Sequence, residues 1–196
     1  MMNMNTEATA VLQLMAMLLA DPRTGTLVGL LVAAAWLDYG SGRIPNALVF
    51  GGAFVGLAYN TLVPPVHTLA LDAFLLAMAG MVCGLMLMLP FYLLRAMGAG
   101  DVKLMAMSGV FLGFPETLWA VLGSFLAGGA LSLIQLAASG QMRRALTNIG
   151  GLGLAVSSGG VPVLNARASA GTVPYGIAIA AGTIGYLVLR QLGVLH

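Results

Sequence analysis

The chain carries very little charge. Of its 196 residues, 8 are Lys or Arg and 6 are Asp or Glu, so charged side chains make up only 7% of the sequence. Soluble domains contain about 25% charged residues. Together with a hydrophobic share of 60% and a mean hydropathy of +0.98, this scarcity predicts an integral membrane protein.

Other scarcities exclude particular kinds of site. Cys83 is the only cysteine, which excludes an intramolecular disulfide and a zinc site of the CxxC type. The net charge is only +2, and most basic residues stand singly between apolar runs, so we expect no nucleic-acid partner. His67 has no potential ligand at metal-binding spacing. We therefore expect neither a metal nor a cofactor.

Proline, glycine and the few charges divide the chain into six apolar segments. This pattern predicts an all-α, polytopic membrane helix bundle with about six transmembrane helices in a single membrane-embedded domain, residues 1–196. The predicted segments are Thr24–Leu37, Ala47–Val63, Thr68–Leu94, Val102–Phe114, Thr117–Ala138 and Val173–Leu189.

Two further segments lie outside these spans. Residues 1–23 contain an apolar stretch, Ala8–Ala20, that is short for a span, and Met1–Thr9 lacks the basic residues of a signal peptide. We expect a helix that lies at the membrane interface or extends the first span. The long Gly/Ser-rich loop Gly140–Thr172 is expected to be mobile and able to close over a site.

The distribution of basic residues predicts the topology, because cytoplasmic loops are enriched in Lys and Arg. In the six-span arrangement, six of the eight basic residues fall on one face: Arg43, Arg95, Lys103, Arg143, Arg144 and Arg167. That face is predicted to be cytoplasmic. Among the acidic residues only Asp38 and Asp101 lie on it.

Asp38 and Asp101 each stand where an apolar segment meets a polar loop, in the stretches Asp38–Asn46 and Gly98–Lys103. Acids at a membrane edge are costly and indicate function. If the two approach closely, repulsion keeps one protonated and the other ionised, and such a pair can hydrolyse a peptide bond through water without a metal. Gly98 and Gly100 are expected to allow a sharp, flexible turn before Asp101.

Spacing and composition alone leave an alternative open. Both acids would also suit solvated ion pairs with Arg43 or Lys103, and Asp101 is well placed to be the N-cap of the fourth helix.

The motifs together resemble a known family. Asp38 followed by Arg43-Ile-Pro45-Asn46, then Gly98-Ala-Gly100-Asp101-Val-Lys103-Leu, and later Val173-Pro-Tyr-Gly-Ile, are similar to the type IV prepilin peptidases, the bacterial branch of the GxGD membrane aspartic proteases. The resemblance implies that Asp38 and Asp101 are catalytic and that Gly98 and Gly100 are the motif glycines. It also implies cleavage of prepilin and pseudopilin leaders after a glycine, at the cytoplasmic face of the bacterial inner membrane.

The chain departs from the longer members, which methylate the new amino terminus and carry two CxxC pairs. With one cysteine, it is not expected to be a methyltransferase. The short form resembles the peptidases of Flp-type (Tad) pili, of the CpaA type, and archaeal preflagellin peptidases are a neighbouring possibility. A non-catalytic membrane subunit of a pilus or secretion machine is the alternative from another class. A small transporter would need mid-membrane polar residues or an internal repeat, and the sequence shows neither.

Other residues receive weaker predictions. Arg43, Pro45, Asn46 and Lys103 are expected near the substrate. Arg43, Arg95 and Lys103 ordinarily determine topology and contact headgroups, but one of them is a candidate to orient an acidic substrate residue or tune a catalytic carboxylate. Asp72 is expected to be a boundary acid on the opposite face. Pro174-Tyr175-Gly176 is expected to shape the last helix beside the active site. The expected partners are the substrate and the bilayer, and the sequence indicates no oligomeric state.

Overall fold

The computed structural model describes residues 20–64, 68–138 and 175–194, together with Ala16. These residues form six α-helices and no strand: α1 (Pro22–Ser41), α2 (Asn46–Leu62), α3 (Ala70–Leu93), α4 (Ala99–Leu112), α5 (Phe114–Ala138) and α6 (Tyr175–Gln191). Each predicted apolar segment corresponds to one helix, so the predicted all-α bundle is confirmed. Of the predicted amino-terminal segment, residues 1–23, only Ala16 and residues 20–23 are described, and α1 already begins at Pro22. The loop Gly140–Thr172 lies outside the described residues.

Local signals set the ends of α1. The carboxylate of Asp21 accepts hydrogen bonds from the backbone N–H of Arg23, at 3.2 Å, and from Thr24 Oγ1, at 2.8 Å, which satisfies donors that a helix start leaves unpaired. The helix ends where Gly42 adopts the left-handed conformation (φ 62°) and donates its N–H to the carbonyl of Asp38. Because α1 continues to Ser41, Asp38 lies inside its last turn rather than in the loop.

Among the described residues, two helices are long and apolar enough to cross a membrane: α3, and residues Phe114–Gln135 of α5. α2 is also apolar but is shorter, at 17 residues. Large apolar side chains point outward from several helices, including Phe54, Leu71 and Leu126. An apolar exterior of this extent matches a protein whose surrounding solvent is lipid.

The shortest helix, α4, lies at the centre of the bundle and packs against all five others. Its 14 residues span only about 21 Å at the rise of an α-helix. Every residue from Asp101 to Leu112 is buried except Lys103, which is half-buried. The first turn of α4, which carries Asp101, is therefore held in place by the packing of the whole bundle.

Glycines allow the closest helix contacts. A Cβ atom on Gly80 of α3 would meet the backbone carbonyl of Gly109 on α4, and a Cβ on Gly182 of α6 would meet the backbone of Gly123 and Ser124 on α5. Small residues are how helices in a bilayer bring their backbones together. These crossings set the position of α4 and α6 relative to their neighbours.

Candidate active site

Asp38 projects from the last turn of α1 and is only 8% exposed. Its Oδ2 accepts a hydrogen bond of 2.8 Å from the backbone N–H of Gly176, the second residue of α6. This contact joins positions 138 residues apart in the chain. The end of α1 and the start of α6 therefore meet at the Asp38 carboxyl.

Asp101 is in the first turn of α4 and is also 8% exposed. Its Oδ2 accepts a 2.9 Å hydrogen bond from the N–H of Gly98. Gly98, not Asp101, occupies the N-cap position, so the predicted N-cap at Asp101 is corrected by three residues. Asp101 instead supplies the carboxylate half of a capping box from the third helical position, where the helix dipole favours a negative charge.

The start of α6 connects the two acids. Gly176 binds Asp38, while the phenol of the preceding residue, Tyr175, lies within electrostatic reach of Asp101. The two aspartates thus lie at the same end of the bundle, beside one helix turn. Asp101 is brought there by the first turn of α4 and Asp38 by the last turn of α1, in agreement with the antiparallel course that the alternating loops predict.

The motif glycines lie at tight contacts rather than at a sharp turn. Gly98 has an ordinary extended conformation (φ −81°, ψ 156°), and Gly100 lies within α4. The residue with positive φ in this connection is Arg95 (φ 59°). A Cβ on Gly98 would come within 3.3 Å of Asp101 Oδ2, and one on Gly100 within 3.3 Å of the Ile44 Cβ. The expectation of glycine-dependent turning at these two positions is therefore wrong.

Lys103 and Asn46 connect the two motif stretches. The ammonium nitrogen of Lys103 donates a 3.0 Å hydrogen bond to Asn46 Oδ1 and lies 5.4 Å from the centre of the Phe50 ring. Asn46 is the first residue of α2 and is exposed. The loop before α2 is thereby linked to the helix that carries Asp101.

The other predicted site residues lie at the surface of the same end. Arg43 is exposed, and its backbone carbonyl accepts a hydrogen bond from Ser41 Oγ at 3.1 Å. Pro45 is exposed and precedes α2 in an extended conformation. Asp38 is bonded to Gly176, so the alternative of a solvated ion pair does not describe its environment. Asp72 lies exposed in the first turn of α3, and His67 lies outside the described residues.

Sequence reasoning placed Tyr175 and Gly176 near the site but missed their contacts, and it missed Gly128 of α5. The ring of Tyr175 lies against Gly128, where an added Cβ would be 2.9–3.0 Å from three ring and hydroxyl atoms. The Pro-Tyr-Gly sequence signalled the start of a helix. No local pattern signals that its amide binds Asp38.

Comparison with protein families places these motifs in a known context. A model of the type IV leader peptidase family matches residues 26–133, which is more than half of the chain and includes both aspartates. The chain belongs to the type IV leader peptidase family. The predicted family is therefore confirmed, and with it a leader-peptidase-like protease of membrane-associated type. Searches of curated proteins and of solved structures gave no match.

Proposed function

We propose that this leader peptidase is an aspartic endopeptidase that cleaves the leaders of type IV, Flp-like prepilins and pseudopilins at the cytoplasmic face of the bacterial inner membrane. The observation that carries the proposal is the placement of Asp38 and Asp101 at one end of the bundle, both near the first turn of α6. Family membership supports the proteolytic activity, and the paired carboxyls support the aspartic mechanism.

In this mechanism, the ionised carboxyl takes a proton from a water molecule while the neutral carboxyl protonates the carbonyl oxygen of the scissile peptide. The water oxygen forms a bond to the carbonyl carbon. When the tetrahedral intermediate collapses, the carbon–nitrogen bond breaks and the departing amine takes up a proton from the dyad. Both acids are nearly buried, which favours the sharing of one proton between them.

The mature part of a type IV prepilin begins with a hydrophobic helix, and this enzyme offers such a segment an apolar surface. Trp36 and Tyr39 flank Asp38 along α1 and are 78% and 77% exposed. We assign to this surface the contact with the substrate helix. Arg43 and Lys103 lie at the same end of the bundle, where one of them orients an acidic residue close to the scissile bond.

The distribution of basic residues supports the proposed orientation of the protein in the membrane. The aspartate end carries Arg43, Arg95 and Lys103 on its loops and first turns, and such basic residues mark the cytoplasmic side. Six membrane crossings put both aspartates on that side. We propose that the protein does not methylate the new amino terminus of its product.

The test is coexpression with a Flp-type prepilin in a host without prepilin peptidases. Leader removal is measured by gel shift and mass spectrometry for the wild type and for Asp38→Asn and Asp101→Asn, with Asp72→Asn as the matched control. We expect cleavage after a glycine in the wild type and the control, and none in either dyad variant.

Full cleavage by Asp38→Asn or Asp101→Asn would show that the dyad is wrong. If well-inserted wild-type protein bound prepilins and preflagellins from a panel but cleaved none, and binding ignored both substitutions, the chain would instead be a non-catalytic subunit of a pilus or secretion machine.

A further inference from the structure

The start of α6 does more than close the bundle. We propose that Gly128, Tyr175 and Gly176 form a positioning unit that holds the Asp38 carboxyl in the orientation required for proton transfer. This inference rests on the proposed aspartic mechanism. It concerns residues that lie between helices α5, α6 and α1, two of them beyond the part of the chain that the family model matches.

Gly176 contacts Asp38 directly. The N–H of Gly176 donates to Oδ2 at 2.8 Å in a buried setting. This hydrogen bond restricts rotation of the carboxyl group about its Cβ–Cγ bond and engages Oδ2 rather than Oδ1. A Cβ on residue 176 would lie 2.7 Å from Oδ2 and 3.1 Å from Cγ. Position 176 therefore requires glycine for the carboxyl to stay where it is.

The side chain of Tyr175 packs against α5. Its aromatic ring lies directly on the backbone of Gly128, where a Cβ would be 2.9 Å from Cε2 and 3.0 Å from both Cζ and the hydroxyl oxygen. The ring belongs to the residue that precedes Gly176. The contact of this ring with α5 therefore helps to orient the Gly176 amide. An added methyl group at position 128 would displace the Tyr175 ring and, with it, the Gly176 amide.

The unit also lies near the second acid. The Tyr175 phenol lies within electrostatic reach of Asp101. The same turn of α6 thus contacts Asp38 through an amide and carries a side chain that lies near Asp101. A displacement of this turn changes the setting of both carboxyls together, which makes it a determinant of catalytic geometry rather than of substrate affinity.

The glycines of α5 and α6 provide matched controls. Gly129 is the neighbour of Gly128, and Gly185 lies on the same helix as Gly176, yet a Cβ on either would meet nothing within 4 Å. The experiment compares Gly176→Ala with Gly185→Ala and Gly128→Ala with Gly129→Ala. It also compares Tyr175→Phe, which keeps the ring, with Tyr175→Ala, which removes it. Initial rates of prepilin cleavage by purified enzyme give kcat and KM, and thermal unfolding gives Tm.

We expect Gly176→Ala to lower kcat by about 100-fold, the loss typical of a misplacement of about 1 Å at a reacting group, with KM and Tm close to the wild type. Gly128→Ala should lower kcat while Gly129→Ala and Gly185→Ala should not. Tyr175→Phe should retain much more of kcat than Tyr175→Ala, because the contact with Gly128 is made by the ring.

Wild-type kcat for Gly176→Ala would overturn the proposal, as would a loss confined to KM or Tm. Equal rates for Gly128→Ala and Gly129→Ala would also overturn it, and this pair decides the matter if Gly176→Ala does not accumulate. Asp38→Asn and Asp101→Asn in the same assay separate the two ideas: their inactivity combined with a fully active Gly176→Ala would refute the positioning unit alone, whereas their activity would refute the dyad itself.

Discussion

Lys103 donates a 3.0 Å hydrogen bond from its ammonium nitrogen to the side-chain oxygen of Asn46. The two residues belong to the two motif stretches of the sequence and lie 57 positions apart. The bond joins the first residue of α2 to the second turn of α4, where Lys103 lies two residues after Asp101. It links the two motif stretches at the exposed edge of the site.

The energy of this bond is measurable as a coupling. Because the bond is accessible to water, we expect Asn46→Ala and Lys103→Met each to lower the free energy of unfolding by about 0.5–1.5 kcal/mol, the net contribution of a typical hydrogen bond. The double variant should lose less than the sum of the two. Unfolding in detergent measures all three variants, and strictly additive losses would show that the bond contributes nothing.

Asp72 should differ from the two site aspartates. It is exposed in the first turn of α3, where its negative charge interacts favourably with the helix dipole. We expect Asp72→Asn to cleave prepilin normally and to lose about 0.3–1 kcal/mol of stability. Peptidase assays and thermal unfolding test this, and a large loss of cleavage would mean that a third acid takes part in the reaction.

Asn60 should be a strong determinant of stability far from the site. It is 3% exposed and donates to the carbonyls of Gly56 and Val110, each at 2.9 Å. Val110 lies in the last turn of α4, where carbonyls lack a partner within the helix. We expect Asn60→Leu to destabilise the fold by about 1–3 kcal/mol.

The neighbour of Asn60 provides the comparison. Among the described residues, Thr61 donates only to the carbonyl of Leu57 in its own helix, so Thr61→Val should change the thermal unfolding midpoint much less than Asn60→Leu. Equal shifts would mean that the bond to α4 adds no stability.

The close crossing of α3 and α4 should tolerate no side chain. Because a Cβ on Gly80 or Gly109 would meet backbone atoms of the other helix, Gly80→Ala and Gly109→Ala should each cost about 1–3 kcal/mol or more. At Gly51, where a Cβ meets nothing within 4 Å, alanine should stabilise α2 by about 0.5–1 kcal/mol. Unfolding measurements that rank the three variants otherwise would contradict the crossing.

The topology can be tested by labelling cysteines. Cys83 is the only cysteine and is buried, so the wild-type protein should react little with the labelling reagent. Ser41 is exposed at the aspartate end and Gln191 is exposed at the end of α6. We expect a membrane-impermeant maleimide to label Gln191→Cys in intact spheroplasts and Ser41→Cys only in inverted vesicles. Labelling of both from one side would refute the proposed crossings.

Much of the fold was readable locally. Apolar runs interrupted by Pro, Gly and charge define helices because hydrophobic burial and backbone breaking act on neighbouring residues. Asp38 and Asp101 stood out for the same reason, since charge is rare in this chain. The explanation of Gly98 and Gly100 failed because a glycine in sequence does not show whether it serves a turn or a tight contact. Neighbours from distant segments, such as Ile44 beside Gly100, decide that.

The apolar runs and the motif residues are enough to predict the helices, the two motif aspartates and the family. Helix packing, in contrast, makes α4 the buried centre, places the Tyr175 ring on Gly128 and brings the amide of Gly176 to Asp38. Every residue except proline carries a backbone N–H, so the one that reaches a carboxylate 138 positions away is selected by helix packing and not by the chemistry of its own side chain.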